Sequence, residues 1–124
     1  MIVKKEEIKL GLCKGRHDIP QAEDGFVFES ISDPTDTKAL EKRAFMSLWN
    51  VCYRSNKGLM IDPEWDGCDM TPLIFNGMLH LNLYVTGLTV ALIAVLNVCR
   101  REGITVTLWH YNSADGSYYP QQVD

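Results

Sequence analysis

One stretch of the sequence, residues 79–112, limits the possible folds more than any other. Residues Leu79 to Val85 alternate leucine or valine with polar and aromatic residues, the period of two that predicts a β-strand. Thr86 to Thr89 breaks this period, and from Val90 to Cys99 almost every residue is apolar. Ile104 to Tyr111 then resumes the pattern of a strand. The order strand, polar turn, helix and strand predicts a βαβ unit.

The end of this helix is marked by two cations, Arg100 and Arg101, and by Gly103, which can adopt the left-handed conformation of a C-cap. Two parallel strands joined by a crossover helix form the repeating unit of Rossmann-like folds, whose ligands bind at turns after the carboxyl ends of strands. We therefore predict a single α/β domain over residues 1–124, with a small, mostly parallel Rossmann-like sheet flanked by two main helices. The turn from Thr86 to Thr89 is its predicted ligand site.

Two further strands and a long helix are predicted before this stretch. Ile8 to Cys13 is a short apolar-rich run, and Gly25 to Ile31 alternates with a period of two. Asp33 is the predicted N-cap of the helix and Pro34 its first residue. An apolar stripe at helical spacing continues the helix to about Asn56.

The chain between this helix and residue 79 has the least distinct pattern. Residues 58–63 are consistent with a short strand, and residues 70–78 are mostly apolar, which suits a lid or a partner contact. Four acidic residues between Asp62 and Asp69 lack EF-hand spacing, so we expect a solvated loop. At the other end of the chain, the Asp115-Gly116 pair predicts a turn that makes residues 118–123 the second strand of a C-terminal β-hairpin.

The composition limits the classes of partner and site. Twelve basic and 16 acidic residues give a formal net charge of −4, which argues against binding to long nucleic acid. The four cysteines show neither a CxxC pair nor metal-ligand spacing with the histidines, so we expect reduced thiols, no metal site and no cofactor. The charged N-terminal run MIVKKEEIK is unlike a signal peptide, and we expect a cytoplasmic protein.

An alternative interpretation of the central stretch is a membrane span. Leu81 to Cys99 is nineteen residues long without a charge, and two arginines follow it. Several polar side chains, Gly87 near the middle and the alternation of the first third are not typical of a lipid-facing helix. We therefore predict no contact with a membrane.

The central helix is apolar on more than one face. From Leu88 to Cys99 the polar residues are Thr89 and Asn97, and one small sheet cannot cover a helix that is apolar all round. A two-fold mate packed on the remaining face would bury it, and self-complementary dimers are the commonest oligomers. We therefore predict a homodimer. Burial within one chain, by the first helix and by residues 70–78, is the alternative.

A second polar loop, Lys14 to Asp18 (KGRHD), follows the first predicted strand. It places two cations, an imidazole and a flexible glycine where backbone and side chains can converge on an anion. A solvated charged loop is the alternative. If the strands Ile8 to Cys13 and Leu79 to Val85 are parallel neighbours, this loop and the Thr86–Thr89 turn lie side by side at one edge of the sheet.

The run from Leu83 to Thr89 (LYVTGLT), followed by an apolar helix, Gly103 and another strand, resembles the strand–TG-x-T–helix core of CRISPR-associated Rossmann-fold (CARF) domains and of the small single-domain CRISPR-associated proteins related to them. The resemblance covers about thirty residues. It implies a homodimer in which two such turns meet across the two-fold axis to hold a cyclic oligoadenylate, in antiviral defence or counter-defence. In some members it implies slow, metal-independent cleavage of that ring. TGLT departs from the more common TGGT, and KGRHD matches no motif of the family.

Carried over to this chain, the resemblance places Thr86, Gly87 and Thr89 at ligand contacts, and the chemistry of the two loops extends the set. The predicted ligand-binding residues are Thr86, Gly87, Leu88, Thr89, Gly15, His110 and Tyr84. If the ligand is cleaved, the simplest chemistry is attack of a ribose 2′-hydroxyl on its adjacent phosphodiester. Arg16 or Lys14 would then stabilise the developing charge, and His17 would move the proton.

Three functions of different classes remain open at this point. The first is a dimeric protein that binds a cyclic or linear oligonucleotide signal; in one form of this hypothesis it also cleaves the ligand. The second is a small Rossmann-like enzyme acting on a nucleotide or a phosphorylated metabolite. The third is a protein-interaction module whose polar turn is only a helix cap. Stabilisation by a nucleotide would separate the first two from the third.

Overall fold

The computed structural model of the chain describes residues 5–15, 18–68 and 72–123. In chain order the elements are β1 (Glu6–Cys13), β2 (Phe26–Phe28), α1 (Thr37–Ser55), β3 (Leu59–Ile61), β4 (Leu73–Phe75), β5 (Leu79–Tyr84), α2 (Thr89–Glu102), β6 (Thr105–Asn112) and β7 (Ser117–Val123). Five strands form one sheet in the order β2-β1-β5-β6-β7, and β3 pairs with β4 in a separate hairpin. The predicted α/β class and the central unit β5-α2-β6 are confirmed.

The pairing of the strands confirms a mostly parallel sheet. β1 is parallel to both of its neighbours, β2 and β5, and β5 is parallel to β6. β7 runs antiparallel to β6 as the second strand of the C-terminal hairpin, with Tyr111 opposite Tyr118. This arrangement is consistent with a small Rossmann-like fold.

Both helices pack on the same face of the sheet. α1 lies between β2 and β5 in the chain and α2 between β5 and β6, so both crossovers move across the sheet in the same direction. Because crossovers between parallel strands are right-handed, two crossovers in one direction place their helices on one face. The short connection from β1 to β2 moves in the opposite direction, and it covers part of the other face.

The core lies between the two helices and this face of the sheet. Side chains alternate between the faces of a strand, so every second residue of β1, β5 and β6 points into the core. The buried core residues include Ile8, Leu10, Leu12, Leu81, Leu83, Val106 and Leu108 from the sheet, with Leu40, Ala44, Leu48, Val95, Val98 and Cys99 from the helices. Burial raises the pKa of Cys99 to about 12, so this thiol stays protonated and packs as a small apolar residue.

The opposite face of the sheet, the open face, carries polar side chains that bond to one another. Asn82 Nδ2 donates to Glu7 Oε1 at 3.0 Å, and Trp109 Nε1 donates to Asn82 Oδ1 at 3.1 Å. The Nε2 atom of His80 lies 2.8 Å from the hydroxyl of Thr107. These bonds satisfy polar groups that sheet packing has partly removed from water.

The connection from β1 to β2 covers the open face only where the parallel strands end. There Ile19 and Ala22 are buried against Tyr84, with Trp109 and Tyr118 packed around them. Two members of this small second cluster, Ile19 and Tyr118, also line the cavity described below.

Two predicted element boundaries are wrong. The strand predicted at Gly25 to Ile31 spans only Phe26–Phe28, because its partner β1 ends at Cys13, which pairs with Phe28. The first helix begins at Thr37 with Asp36 as its N-cap, and not at Asp33 and Pro34. Asp33 instead accepts hydrogen bonds from the backbone and hydroxyl of Thr35, which makes a separate turn before the helix.

The segment predicted as a lid or partner contact, residues 70–78, contains β4. This strand pairs antiparallel with β3, and Phe75 packs edge-on against Phe45 of α1 with ring centroids 5.6 Å apart. Trp49 Nε1 donates to the carbonyl oxygen of Leu73 at 3.3 Å. The hairpin is therefore attached to the first helix, and residues 69–71 lie outside the described residues.

The central helix α2 is buried on one face and not all round. Ala91, Ala94, Val95, Val98 and Cys99 are buried, because a single layer of sheet and the neighbouring helix α1 cover them. The opposite side of the helix, with Leu88, Val90 and Ile93, is exposed. No helix in the described ranges is long and apolar enough to cross a membrane.

Candidate functional site

The carboxyl edge of the parallel strands brings the two predicted loops together. β1 and β5 are parallel neighbours, so the chain after Cys13 and the chain after Tyr84 leave the sheet side by side. The hydroxyl of Thr86 donates to the carbonyl oxygen of Cys13 at 2.9 Å and joins the two turns. The turns after β1 and β5 therefore lie side by side, as expected for parallel neighbouring strands.

A cavity of about 370 Å³ opens on the open face at this edge. It is lined by Asp18, Ile19, Pro20, Gln21, Thr86, Tyr111, Gly116 and Tyr118. Its walls come from three places: the connection after β1, the turn after β5 and the β6–β7 hairpin. The volume falls in the lower part of the range of about 300 to 1,000 Å³ that is usual for small-molecule sites.

Four aromatic rings form a connected series on the open face, and two of them, Tyr118 and Tyr111, line the cavity. The Tyr84 ring is buried and stacks on Trp109 with centroids 5.9 Å apart. Tyr118 meets Tyr84 edge-on at 5.2 Å, and Tyr111 meets Tyr118 at 5.4 Å. Tyr111 is 55% exposed, so its ring is available to a planar ligand, whereas Tyr84 is buried against Tyr118.

The cavity has little positive charge in its described lining. Burial raises the pKa of Tyr118, and the neighbouring Tyr111 and Tyr84 raise it further, so this phenol stays neutral. Asp18 is the one charged residue among the described residues that line the cavity. Phenol, amide, hydroxyl and carboxylate groups therefore surround the space.

Gly87 holds the β5–α2 turn against the end of β1. Its φ of +85° lies in the left-handed region that favours glycine, and a Cβ atom there would come within 3.1 Å of Cys13 Sγ. Burial raises the pKa of this thiol, and the backbone N–H of Leu88, which bonds to it, lowers the pKa by less. Gly87 and the N–H of Leu88 thus serve contacts within the chain.

The residues after this turn face a different space. Thr89 lines a groove of about 300 Å³ between α1 and α2, together with Val90, Ile93 and Thr37 among others. Leu88 is the N-cap of α2, and its side chain makes no capping hydrogen bond. The predicted ligand residues are therefore divided, with Thr86 at the cavity and Thr89 at the groove.

The remaining predicted residues are not gathered around the cavity. Lys14 is exposed and pairs with Glu29 at 3.5 Å, and Gly15 is exposed beside it. His110 contacts Gln121 Oε1 at 2.7 Å and belongs to the face of the sheet opposite Tyr111.

Arg16 and His17, the other two predicted catalytic residues, lie outside the described residues. Within the described part of the chain, no cluster of three or more His, Cys, Asp or Glu side chains could hold a metal ion. All four cysteines are free thiols.

The sequence placed Asp18 in a candidate loop, but it did not indicate other residues that line the cavity, among them Ile19, Gln21 and Tyr118. One signal was available for the tyrosines. A period of two places Tyr111 on one face of β6, and a hairpin turn at Asp115-Gly116 brings Tyr118 opposite it. No comparable local pattern predicts that the loop after β1 folds back over the sheet.

Comparisons with family models, with curated proteins and with solved structures give no match to this chain. The chemistry of the site must therefore be inferred from its own residues.

Proposed function

We propose that the protein binds a nucleotide-type ligand in the cavity at the carboxyl edge of its sheet, and that it does so as a homodimer that takes a cyclic or linear oligonucleotide. The observation that carries the proposal is the position of Thr86 and the exposed Tyr111 ring in one cavity where β1, β5 and β6 end. This edge is where parallel α/β sheets bind ligands. The resemblance to CARF domains supports a cyclic oligoadenylate in antiviral defence or counter-defence.

The size of the cavity bears on how such a ligand would bind. A space of about 370 Å³ suits one nucleotide unit, and a ring of several nucleotides is larger than that. Two copies of the cavity, related by a two-fold axis, would each hold one unit of such a ring. A single unit in a monomer fits the second candidate, an enzyme acting on a mononucleotide.

The exposed side of α2 supports the homodimer. Leu88, Val90 and Ile93 are 46%, 38% and 50% exposed near one end of α2, and neighbouring exposed apolar side chains are a feature of protein–protein interaction sites. They lie at the amino end of the helix, next to the Thr86–Gly87 turn. A two-fold contact here would bring the two turns toward each other.

Cleavage of the ligand is a separate proposal. It depends on Arg16 and His17, which stand in the chain between Gly15 and the cavity residue Asp18. Lys14 is already paired with Glu29, so stabilisation of a developing charge falls to Arg16. His17→Ala should leave binding nearly intact and reduce turnover by about 10²- to 10⁴-fold if this imidazole moves a proton.

The binding test is a thermal-shift and calorimetric panel of cyclic and linear oligoadenylates with adenosine monophosphate. A ligand at a hundred times its dissociation constant should stabilise the protein by about 2.7 kcal/mol. Tyr111→Ala should weaken binding about tenfold or more, because stacking of one base on an aromatic ring contributes about 1–3 kcal/mol.

Tyr119→Ala is the matched control for that variant. Tyr119 is 51% exposed on the paired strand but belongs to the other face of the sheet, so its removal should leave affinity unchanged. Equal affinities for the wild type and Tyr111→Ala would place the ligand elsewhere. If no nucleotide stabilises the protein, the result favours the alternative of a protein-interaction module. Chromatography of the ligand after incubation with the protein distinguishes binding from turnover.

A further inference from the structure

The polar side chains of the cavity differ from those on the rest of the open face. On the face itself, Glu7, Asn82 and Trp109 form a chain of hydrogen bonds, and the rest of the network is similarly paired. Inside the cavity, the side chains of Asp18, Gln21, Tyr111 and Tyr118 have no hydrogen-bond partner within the described part of the chain. Free hydrogen-bonding capacity on this side of the sheet is therefore concentrated at the cavity.

The charge of these groups selects what can enter. Asp18 is a carboxylate and accepts hydrogen bonds, and the phenol of Tyr118 stays neutral because burial and its aromatic neighbours raise its pKa. A phosphate placed against this lining would meet a like charge at Asp18 and no cation among the described lining residues. A hydroxyl donor would be accepted by the carboxylate, in a bond stronger than one between neutral groups.

The aromatic and apolar parts of the lining are arranged for a planar group. The exposed Tyr111 ring lines the cavity, and Ile19 and Pro20 add apolar surface to the same lining. A base can stack on a tyrosine ring with little regard to its identity, because every base has a π-face. The lining thus offers a stacking surface beside a hydroxyl acceptor.

Resting on the proposed function, we infer that the cavity holds the base and ribose of one nucleotide with its phosphate outside, and that Asp18 accepts a hydrogen bond from the ribose 2′-hydroxyl. The base stacks on Tyr111, and Gln21 is placed to bond to a further ribose or base group. The 2′-hydroxyl is the group by which a protein distinguishes RNA from DNA. The cavity is therefore a ribonucleotide-selective site in which Asp18 sets the specificity.

The experiment measures the affinities of adenosine 5′-monophosphate and 2′-deoxyadenosine 5′-monophosphate by calorimetry, and repeats the pair with linear ribo- and deoxyribo-triadenylate. The full chain should prefer each ribo-ligand by about 10- to 100-fold, since a hydrogen bond to a charged group contributes about 1.5–3 kcal/mol. Asp18→Ala should reduce this ratio to near one by weakening only the ribo-ligands. Asp18 is exposed, so the variant should fold normally, which circular dichroism checks.

Glu23→Ala is the matched control, because it removes one negative charge from the same β1–β2 connection at a residue that does not line the cavity. It should keep the preference for ribose. Equal affinities for ribo- and deoxyribo-ligands, or a preference that survives Asp18→Ala, would overturn the inference while leaving nucleotide binding in place. If neither sugar type binds, the proposed function itself fails and the inference fails with it.

Discussion

At the scale of single residues, two glycines show how closely the chain approaches itself near the site. A Cβ atom on Gly11 would lie 2.5 Å from ring atoms of Phe26, and one on Gly87 would lie 3.1 Å from Cys13 Sγ. Gly87 carries the further constraint of a positive φ. A glycine at position 87 is therefore needed by the fold itself, so its replacement cannot serve as a clean test of ligand binding.

We expect Gly87→Ala to destabilise the protein by more than Gly103→Ala. Both residues have positive φ, which costs a side chain about 1–2 kcal/mol, but a Cβ at Gly103 meets nothing within 4 Å. The difference between the two variants in urea-induced unfolding measures the contact with Cys13. Equal losses would show that Cys13 moves aside without cost.

His80 should make stability depend on pH. Burial lowers its pKa below the ordinary value of 6.5, so folding favours the neutral ring. The unfolded chain therefore binds more protons than the folded chain below about pH 6.5. The stability that the neutral ring contributes is complete above that pH and is lost as the pH falls through the folded-state pKa. Urea midpoints between pH 7 and pH 5 should fall more for the wild type than for His80→Gln. Parallel curves would contradict the assignment to His80.

At the scale of elements, the ends of the two helices differ in how they are capped. The side chain of Asp36 accepts a hydrogen bond from the Ala39 N–H at 3.1 Å, which caps α1. α2 has Leu88 at the equivalent position and no side-chain cap. At their carboxyl ends, Asn56 and Gly103 both adopt the left-handed conformation, which ends each helix in the same way.

The corrected start of α1 is testable with one pair of variants. Asp36→Ala should cost about 1 kcal/mol of unfolding free energy, because it removes the N-cap bond. Asp33→Ala should cost less, since its carboxylate bonds to Thr35 in the turn before the helix. Chemical denaturation measures both. A larger loss of unfolding free energy for Asp33→Ala would instead support a helix that starts at Asp33.

At the scale of the whole molecule, the direction of the crossovers decides which surfaces remain free. Both helices lie on the other face of the sheet. The open face carries the polar network, and the β1–β2 connection covers its end near the cavity. The helical layer in turn leaves one side of α2 uncovered. The cavity therefore opens at the carboxyl edge of the open face, and the exposed apolar side chains lie at the amino end of α2.

Sedimentation should show a dimer at micromolar concentration, and Ile93→Glu should yield monomers. The reason is that a charge placed on the exposed side of α2 cannot be buried against a second copy. Met60→Glu, at a comparably exposed apolar residue on the β3–β4 hairpin, is the control and should stay dimeric. A wild-type protein that remains monomeric at high concentration would contradict a ligand site shared across a two-fold axis.

The order and type of the main elements follow from local patterns in the sequence. A period of two in Leu79–Tyr84, an apolar run ended by Gly103 and the Asp115-Gly116 turn are local signals, and each predicted its element correctly. From these alone the parallel βαβ unit and the C-terminal hairpin follow. The position of Thr86 at the carboxyl edge could also be predicted, because it depends only on where a strand ends.

The surroundings of that edge depend on contacts between segments that are far apart in the chain. The β1–β2 connection carries Asp18 and Gln21 over the open face because its crossover runs opposite to the two helical ones, a relation between distant strands that no local pattern contains. The same relation exposes one side of α2, which the apolar sequence had suggested was covered all round. Periodicity tells which residues share a face, but the order of strands in the sheet decides what covers that face.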